Sequence, residues 1–274
     1  MSITKRMLGL KKSPVDKRDY VARPLLTPYL YKLPVEFDLT GKQTPVRSQG
    51  QEGSCVGFAM VCGVKEYQEQ KERKKFVNLS PRYLYEAAKR ISGHSEGTTL
   101  KAAMQVAQKL GTCEESYWPY IAQQPGTPKK GAEENALKYR IKSYARIRTT
   151  DELKAALINP EIGDTLVGVT VYSGMVSDEA KRTGVVTDPT CWDKMKALGG
   201  HALCAVAYND ISPYFKNDGH IKVKNSWGKE FGDKGYLYLS YKNITANMID
   251  CYTSIDIVDA SEIQLLGVAP VWEK

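Results

Sequence analysis

"VRSQGQEGSCVGFAM" occupies residues 46–60 and changes character halfway along. Gln49, two glycines and Ser54 lead to Cys55, after which the chain is apolar enough for a buried helix. A thiol at a helix start faces unpaired backbone N–H groups and the positive end of the macrodipole, both of which favour thiolate. The same place also suits a cysteine that is only a small buried apolar residue. Cys62, two turns along on nearly the same face, fits that second role. Whether Cys55 does chemistry depends on partners elsewhere in the chain.

The chain holds three histidines. His94 lies in the polar loop "SGHSEG" and His220 beside the turn "NDG", where solvated roles suffice. His201 opens the run "GGHALCAVAY", and an imidazole at the mouth of a buried strand can act as base and then acid. In "HIKVKNSWG" (220–228) the alternation puts Ile221, Val223 and Asn225 on one face, and Lys222 and Lys224 on the other. An amide ending an apolar face needs a partner. An imidazole N–H would serve, fixing the tautomer and leaving the other ring nitrogen for the thiol, with Trp227 as a shield from water. Gln49, six residues before Cys55, has a side-chain NH2 that with the Cys55 N–H would stabilise an oxyanion. Each signal has a bland alternative. The series Gln, Cys, His, Asn is what carries the argument.

These residues resemble the papain-like cysteine proteases. "QGQEGSC" is similar to that family's oxyanion and nucleophile segment, "GGHALCAVAY" to its histidine strand, and "KNSWGKEFGDKGYLYL" to its asparagine segment. The resemblance implies Cys55 as nucleophile, His201 as base and acid, Asn225 as orienter and Gln49 as oxyanion donor. It further implies that Gly97, in "EGTT", hydrogen-bonds extended substrate, that Thr98 and Thr99 begin a wall of the S2 pocket, and that Gly200 lines the substrate site. The departures are Glu52 in place of a disulfide-forming cysteine, Val56 in place of an aromatic residue, and Phe231 in place of a tryptophan. The long family propeptide is absent, which resembles a prokaryotic branch with a short N-terminal arm.

The rest of the sequence agrees. Of the net charge of +8, residues 1–35 carry +6, so the excess sits on an arm and nucleic-acid binding by the body is disfavoured. The six cysteines form no C-x-x-C pair, and no metal or organic cofactor is implied. No run is apolar enough to span a bilayer. The N-terminus lacks a signal-like apolar segment, so the expected location is the cytoplasm, or outside it by another export route. Periodicity predicts helices from Ser54 to about residue 70 with Ser54 as cap, from Pro81 with Ser80 as cap, over 98–111, and from a capping box at Thr149 and Glu152. Strands are predicted at 165–172, 201–209, 219–227, 235–241 and 254–258.

The expected architecture is α+β with two lobes and the site between them. The arm spans 1–35, a helical lobe with Cys55 spans 36–135, and an antiparallel barrel-like β lobe with His201 and Asn225 spans 136–274. Residues 19–34 contain Pro24, Pro28 and Pro34, and are expected to lie extended on a surface, either blocking the cleft or bracing the lobes. The expected activity is cysteine endopeptidase action on peptide or protein substrates by a monomer, with autoinhibition by the arm. The rivals are an aminopeptidase or acyl transferase with the same triad, and a catalytically silent binding module.

Overall fold

A computed structural model describes residues 8–17, 19–189 and 194–256. Arm residues 1–7 and Arg18, Cys191, and the 257–258 end of the last expected strand lie outside them.

The described chain opens with a short strand β1 (Leu10–Lys11) and then a helix α1 (Arg23–Leu30), where extended chain is expected. The prolines permit it. Pro24 falls in the first turn, where its missing N–H has no intrahelical acceptor, and Pro28 costs one bond in a two-turn helix. Leu26, fully buried, supplies the compensating contact. Strand β2 (Glu36–Asp38) precedes the helix of the nucleophile, which runs as α2 (Cys55–Phe58), a π-helical segment (Ala59–Lys65) and α3 (Glu66–Arg73). Ser54 does not cap it. The Ser54 backbone is not extended, and its hydroxyl lies 2.6 Å from the Tyr120 hydroxyl instead. Gly57 and Gly63 sit in this helix because a Cβ there would lie 2.8 Å from the Pro81 carbonyl oxygen and 2.5 Å from the Cys204 Cβ.

Helix α4 (Pro81–Ser92) is capped by Ser80, whose Oγ accepts the Tyr83 N–H at 3.1 Å. Strand β3 (Thr98–Thr99) leads into α5 (Leu100–Lys109), and α6 (Ala132–Ala136) precedes β4 (Ile141–Arg146), a strand not expected from periodicity. Helix α7 (Thr150–Ile158) opens as expected, with the Glu152 N–H donating to Thr149 Oγ1; the Glu152 carboxylate accepts from the Arg148 N–H. Strand β5 (Thr165–Val171), helix α8 (Asp178–Thr183), strands β6 (Gly199–Asn209), β7 (His220–Lys224) and β8 (Tyr236–Ser240), helix α9 (Tyr241–Asn247) and strand β9 (Met248–Asp256) complete the described chain.

Strand β6 is the spine. It pairs antiparallel with β5 and then β2 along one edge, and with β1 and then β7 along the other. Its alternation feeds two cores. Ala202, Cys204 and Val206 pack with α2, α4 and α5, whereas Leu203 and Ala205 join the apolar faces of β5, β7, β8 and α7. The face opposite Asn225 is not solvent either. Lys224 is buried, its Nζ donating to the Cys62 carbonyl at 2.6 Å and to Thr44 Oγ1 at 2.9 Å.

The arm divides into two functions of position. Residues 20–38 are a brace: Tyr20 to Ala22 bond to Arg146, α1 packs on α7, and β2 extends the sheet. Residues 9–11 instead lie between β3 and β6. Between the two, Asp16 and Asp19 receive Lys101 Nζ at 3.0 and 2.6 Å, and the Ser13 N–H donates to Asp250 at 2.9 Å. The described charge contacts of this middle stretch therefore run from arm carboxylates to a body lysine, the reverse of what the arm's net charge suggested.

Candidate active site

Cys55 occupies the first position of α2, fully buried, with its free thiol under the arm. Burial pushes that thiol's pKa up; backbone N–H groups of Ala202, Gly9, Val56 and Leu10 face the sulfur and oppose the rise. Ala202 follows His201, so these contacts bring the nucleophile to the histidine strand. His201 Nε2 lies 2.8 Å from Asn225 Oδ1. The Trp227 ring stacks on the imidazole at 4.5 Å between centroids and 25° between planes, and Phe231 meets that indole edge-on at 4.8 Å. Asn225 Oδ1 also accepts the Ser226 N–H at 2.8 Å, which fixes the amide. With Nε2 donating to Asn225, Nδ1 is left as the basic nitrogen; it is buried and has no hydrogen-bond partner. Burial lowers the His201 pKa to about 4 against the smaller opposing effect of Asn225. In this closed arrangement burial disfavours the charged form of both the thiol and the imidazole.

Gln49 is fully buried beside them. Its Oε1 accepts from Ser226 Oγ at 2.6 Å and its Nε2 donates to the Glu52 carbonyl at 2.7 Å. The four residues singled out for chemistry therefore meet at one place, where the start of α2 faces the start of β6 and the end of β7.

The residues expected to hold substrate line a groove between β3 and β6, and the groove contains the arm. The Thr98 N–H donates to the Gly9 carbonyl at 2.9 Å, and Leu10 stands opposite Gly200. The Gly97 N–H goes to the Tyr85 hydroxyl at 3.0 Å, so Gly97 contributes close approach: with φ at +72°, its Cβ would lie 2.1 Å from the Gly9 oxygen. A Cβ on Gly200 would lie 2.5 Å from the Leu10 oxygen. Thr98 and Thr99 turn their hydroxyls inward, to Ser92 at 2.9 Å and to the Ala102 N–H at 3.1 Å. The Leu10 side chain fills the apolar space between Gly168 and Leu100. Sequence reasoning missed Tyr85, Ser226 and Leu10; the first two look like ordinary helix and turn residues until their hydroxyls are placed.

A buried thiol at a helix start, packed against the strand that carries an imidazole–carboxamide pair, is the arrangement of the thiol peptidases. The chain belongs to the papain family of cysteine proteases, whose family model matches residues 33–256. Among curated relatives, mouse cathepsin K is 28% identical over 87% of this chain and 69% of its own length. An uncharacterised peptidase C1-like protein of Acanthamoeba polyphaga mimivirus is 27% identical over 72% of this chain. The match spans 64% of that viral protein's length, so just under two thirds of it. Among solved structures, xylellain, a cysteine protease from Xylella fastidiosa, superposes with a TM-score of 0.81 at 25% identity, covering 93% of this chain and 97% of its own. Digestive procathepsin L 3 of Tenebrio molitor shares the fold at a TM-score of 0.65 and 19% identity.

Proposed function

We propose that this protein is a cysteine endopeptidase held shut by its own N-terminal segment. The observation that carries the reading is the His201–Asn225 bond beneath Trp227, with the Cys55 sulfur against the same strand. With the cleft open and hydrated, the thiol passes its proton to His201 Nδ1 and the thiolate attacks a substrate carbonyl carbon. The oxyanion that forms accepts hydrogen bonds from the Gln49 amide and the Cys55 N–H. His201 then returns its proton to the departing amine. Water, deprotonated by the same imidazole, releases the acid from the acyl-enzyme.

The arm occupies the place of a substrate without offering a bond to cut. It runs parallel to β3 and antiparallel to β6, as an added strand. It turns the N–H groups of Gly9 and Leu10 toward the sulfur, where a substrate would present a carbonyl carbon. Burial that disfavours the charged forms of Cys55 and His201 under this cover fits a resting state.

Titration with an epoxide or iodoacetamide followed by peptide mapping tests the reading. Label is expected at Cys55 ahead of the other cysteines, and Cys55→Ala should abolish peptide hydrolysis while leaving the thermal midpoint nearly unchanged. Substantial hydrolysis by Cys55→Ala would end the assignment. Labelling without any peptide hydrolysis would favour a silent module, and release of single N-terminal residues only would favour an aminopeptidase.

A further inference from the structure

Gln49 is useful only if its amide points the right way, and it sits in a loop with glycines at 50 and 53. Gly50 has φ at +60°. Such a loop has many conformations to lose on ordering. What orders it is the side chain of Glu52. One carboxylate oxygen accepts Arg82 Nη1 at 2.5 Å and the other accepts Arg82 Nη2 at 2.7 Å, a two-pronged pair. The second oxygen also accepts the Gln123 N–H at 2.7 Å and lies 3.2 Å from the Tyr120 hydroxyl. That hydroxyl in turn donates to the Gln49 carbonyl at 2.8 Å and meets Ser54 Oγ at 2.6 Å.

Arg82 is itself fixed. It is fully buried in the first turn of α4, lies over the Tyr120 ring at 4.5 Å, and reaches Glu86 at 3.0 Å and the Ile121 carbonyl at 2.7 Å. The same helix supports α2 where Gly57 meets Pro81 and Tyr85. Helix α4 therefore positions both the nucleophile and the loop of the oxyanion donor. The chain of contact ends on the chemistry, since the Glu52 carbonyl receives Gln49 Nε2. Burial works to raise the Glu52 carboxyl, but the bonds from Arg82 and Gln123 outweigh it and hold its pKa below the usual value.

We infer that Glu52, Arg82 and Tyr120 form a clasp that aims Gln49 at the oxyanion. They are positioning residues for the reaction proposed above, on which this inference rests. None of the three touches the reacting atoms. Loss of the clasp leaves the thiol–imidazole pair in place and lets the Gln49 amide wander.

The test is a double-mutant cycle on kcat for a peptide amide, using the full chain. An arm that closes the cleft competes with substrate, so it raises KM and leaves kcat to report the open enzyme. Glu52→Gln should lower kcat roughly 10–100-fold, because misaiming a donor forfeits most of what removing it forfeits. Tyr120→Phe, which leaves the ion pair intact, should lower kcat several-fold and guards against a folding defect in the first variant. Placed on Gln49→Ala, either change should have little further effect on kcat, since the route through the Gln49 amide is gone. Effects that multiply in the double variants, or a wild-type kcat in Glu52→Gln, overturn the clasp while leaving the peptidase reading intact. A wild-type protein that hydrolyses no peptide amide overturns both.

Discussion

Leu10→Ala removes the side chain that wedges the arm into the cleft. Leu10 is 5% exposed and sits against Gly168, Leu100 and Gly200. Truncation to alanine gives up most of a buried leucine side chain, about 2 kcal/mol of burial. In the open form that side chain is in water, so the loss falls on closure. A change of about 2 kcal/mol shifts the closed-to-open ratio by roughly 30-fold. Reaction of Cys55 with iodoacetamide proceeds in proportion to the open fraction. The labelling rate should therefore rise by about 30-fold, with saturation once the arm is mostly open. KM for a peptide substrate should fall by the same factor, with kcat unchanged. Leu26→Ala on the brace helix is the control: it should cost about 2–5 kcal/mol of stability and leave the labelling rate alone. If Leu10→Ala keeps the wild-type labelling rate and KM, the arm does not gate the site.

Gly9→Ala tests the same gate by crowding, because a Cβ at Gly9 would lie 1.7 Å from the Gly53 oxygen; labelling of Cys55 should accelerate as in Leu10→Ala. Replacing Asp16 and Asp19 together by Asn removes both partners of Lys101 and should speed labelling about 10-fold or more. Added salt should mimic that double variant only weakly, because the pair is mostly buried. The pH dependence has a defined sign. His201 and His220 both have pKa values lowered to about 4, mainly by burial, so between pH 6.5 and 4 the unfolded chain binds protons that the closed fold refuses. Stability of the closed form is then full above pH 6.5 and falls as the pH drops toward 4. Thermal midpoints taken over that range should show the loss, and His201→Gln should retain only the share due to His220. A midpoint that stays flat from pH 6.5 to 5 would refute the burial of these imidazoles.

The candidate catalytic residues were legible in the sequence because each sits where the backbone changes character. Cys55 stands at a helix start, His201 at a strand start and Asn225 at a strand end, and those boundaries leave marks in glycine placement and periodicity. The expected strands of the second half were legible for the same reason, but β4, whose "IKSYAR" alternates too weakly to stand out, was not, nor were α8, α9 and the first six residues of β9. Elsewhere the fold turned on partners distant in sequence. Pro24 and Pro28 argue against a helix locally, and only the packing of Leu26 beneath α7 reverses that. Lys224 reads as a solvent-facing residue until Thr44 and the Cys62 carbonyl enclose it. Ser54 reads as a cap, but Tyr120 claims its hydroxyl. Arg82 is an ordinary surface type, and no local pattern marks it as fully buried against Glu52.

The strand in the cleft is joined directly to its own anchor. Only two residues separate Leu10 from Ser13, whose N–H is bonded to Asp250, and Asp16 and Asp19 follow on Lys101. A plug moored this closely returns to its groove as an intramolecular event, at an effective concentration on the order of millimolar or above. It therefore needs little affinity of its own. The same residues supplied as a separate peptide would have to be present at comparable concentration to shut the cleft, and a substrate must either exceed that local concentration or bind more tightly than the plug. Severing the chain between Lys11 and Ser13 would abolish the restraint in a single step, with every contact of the brace still in place.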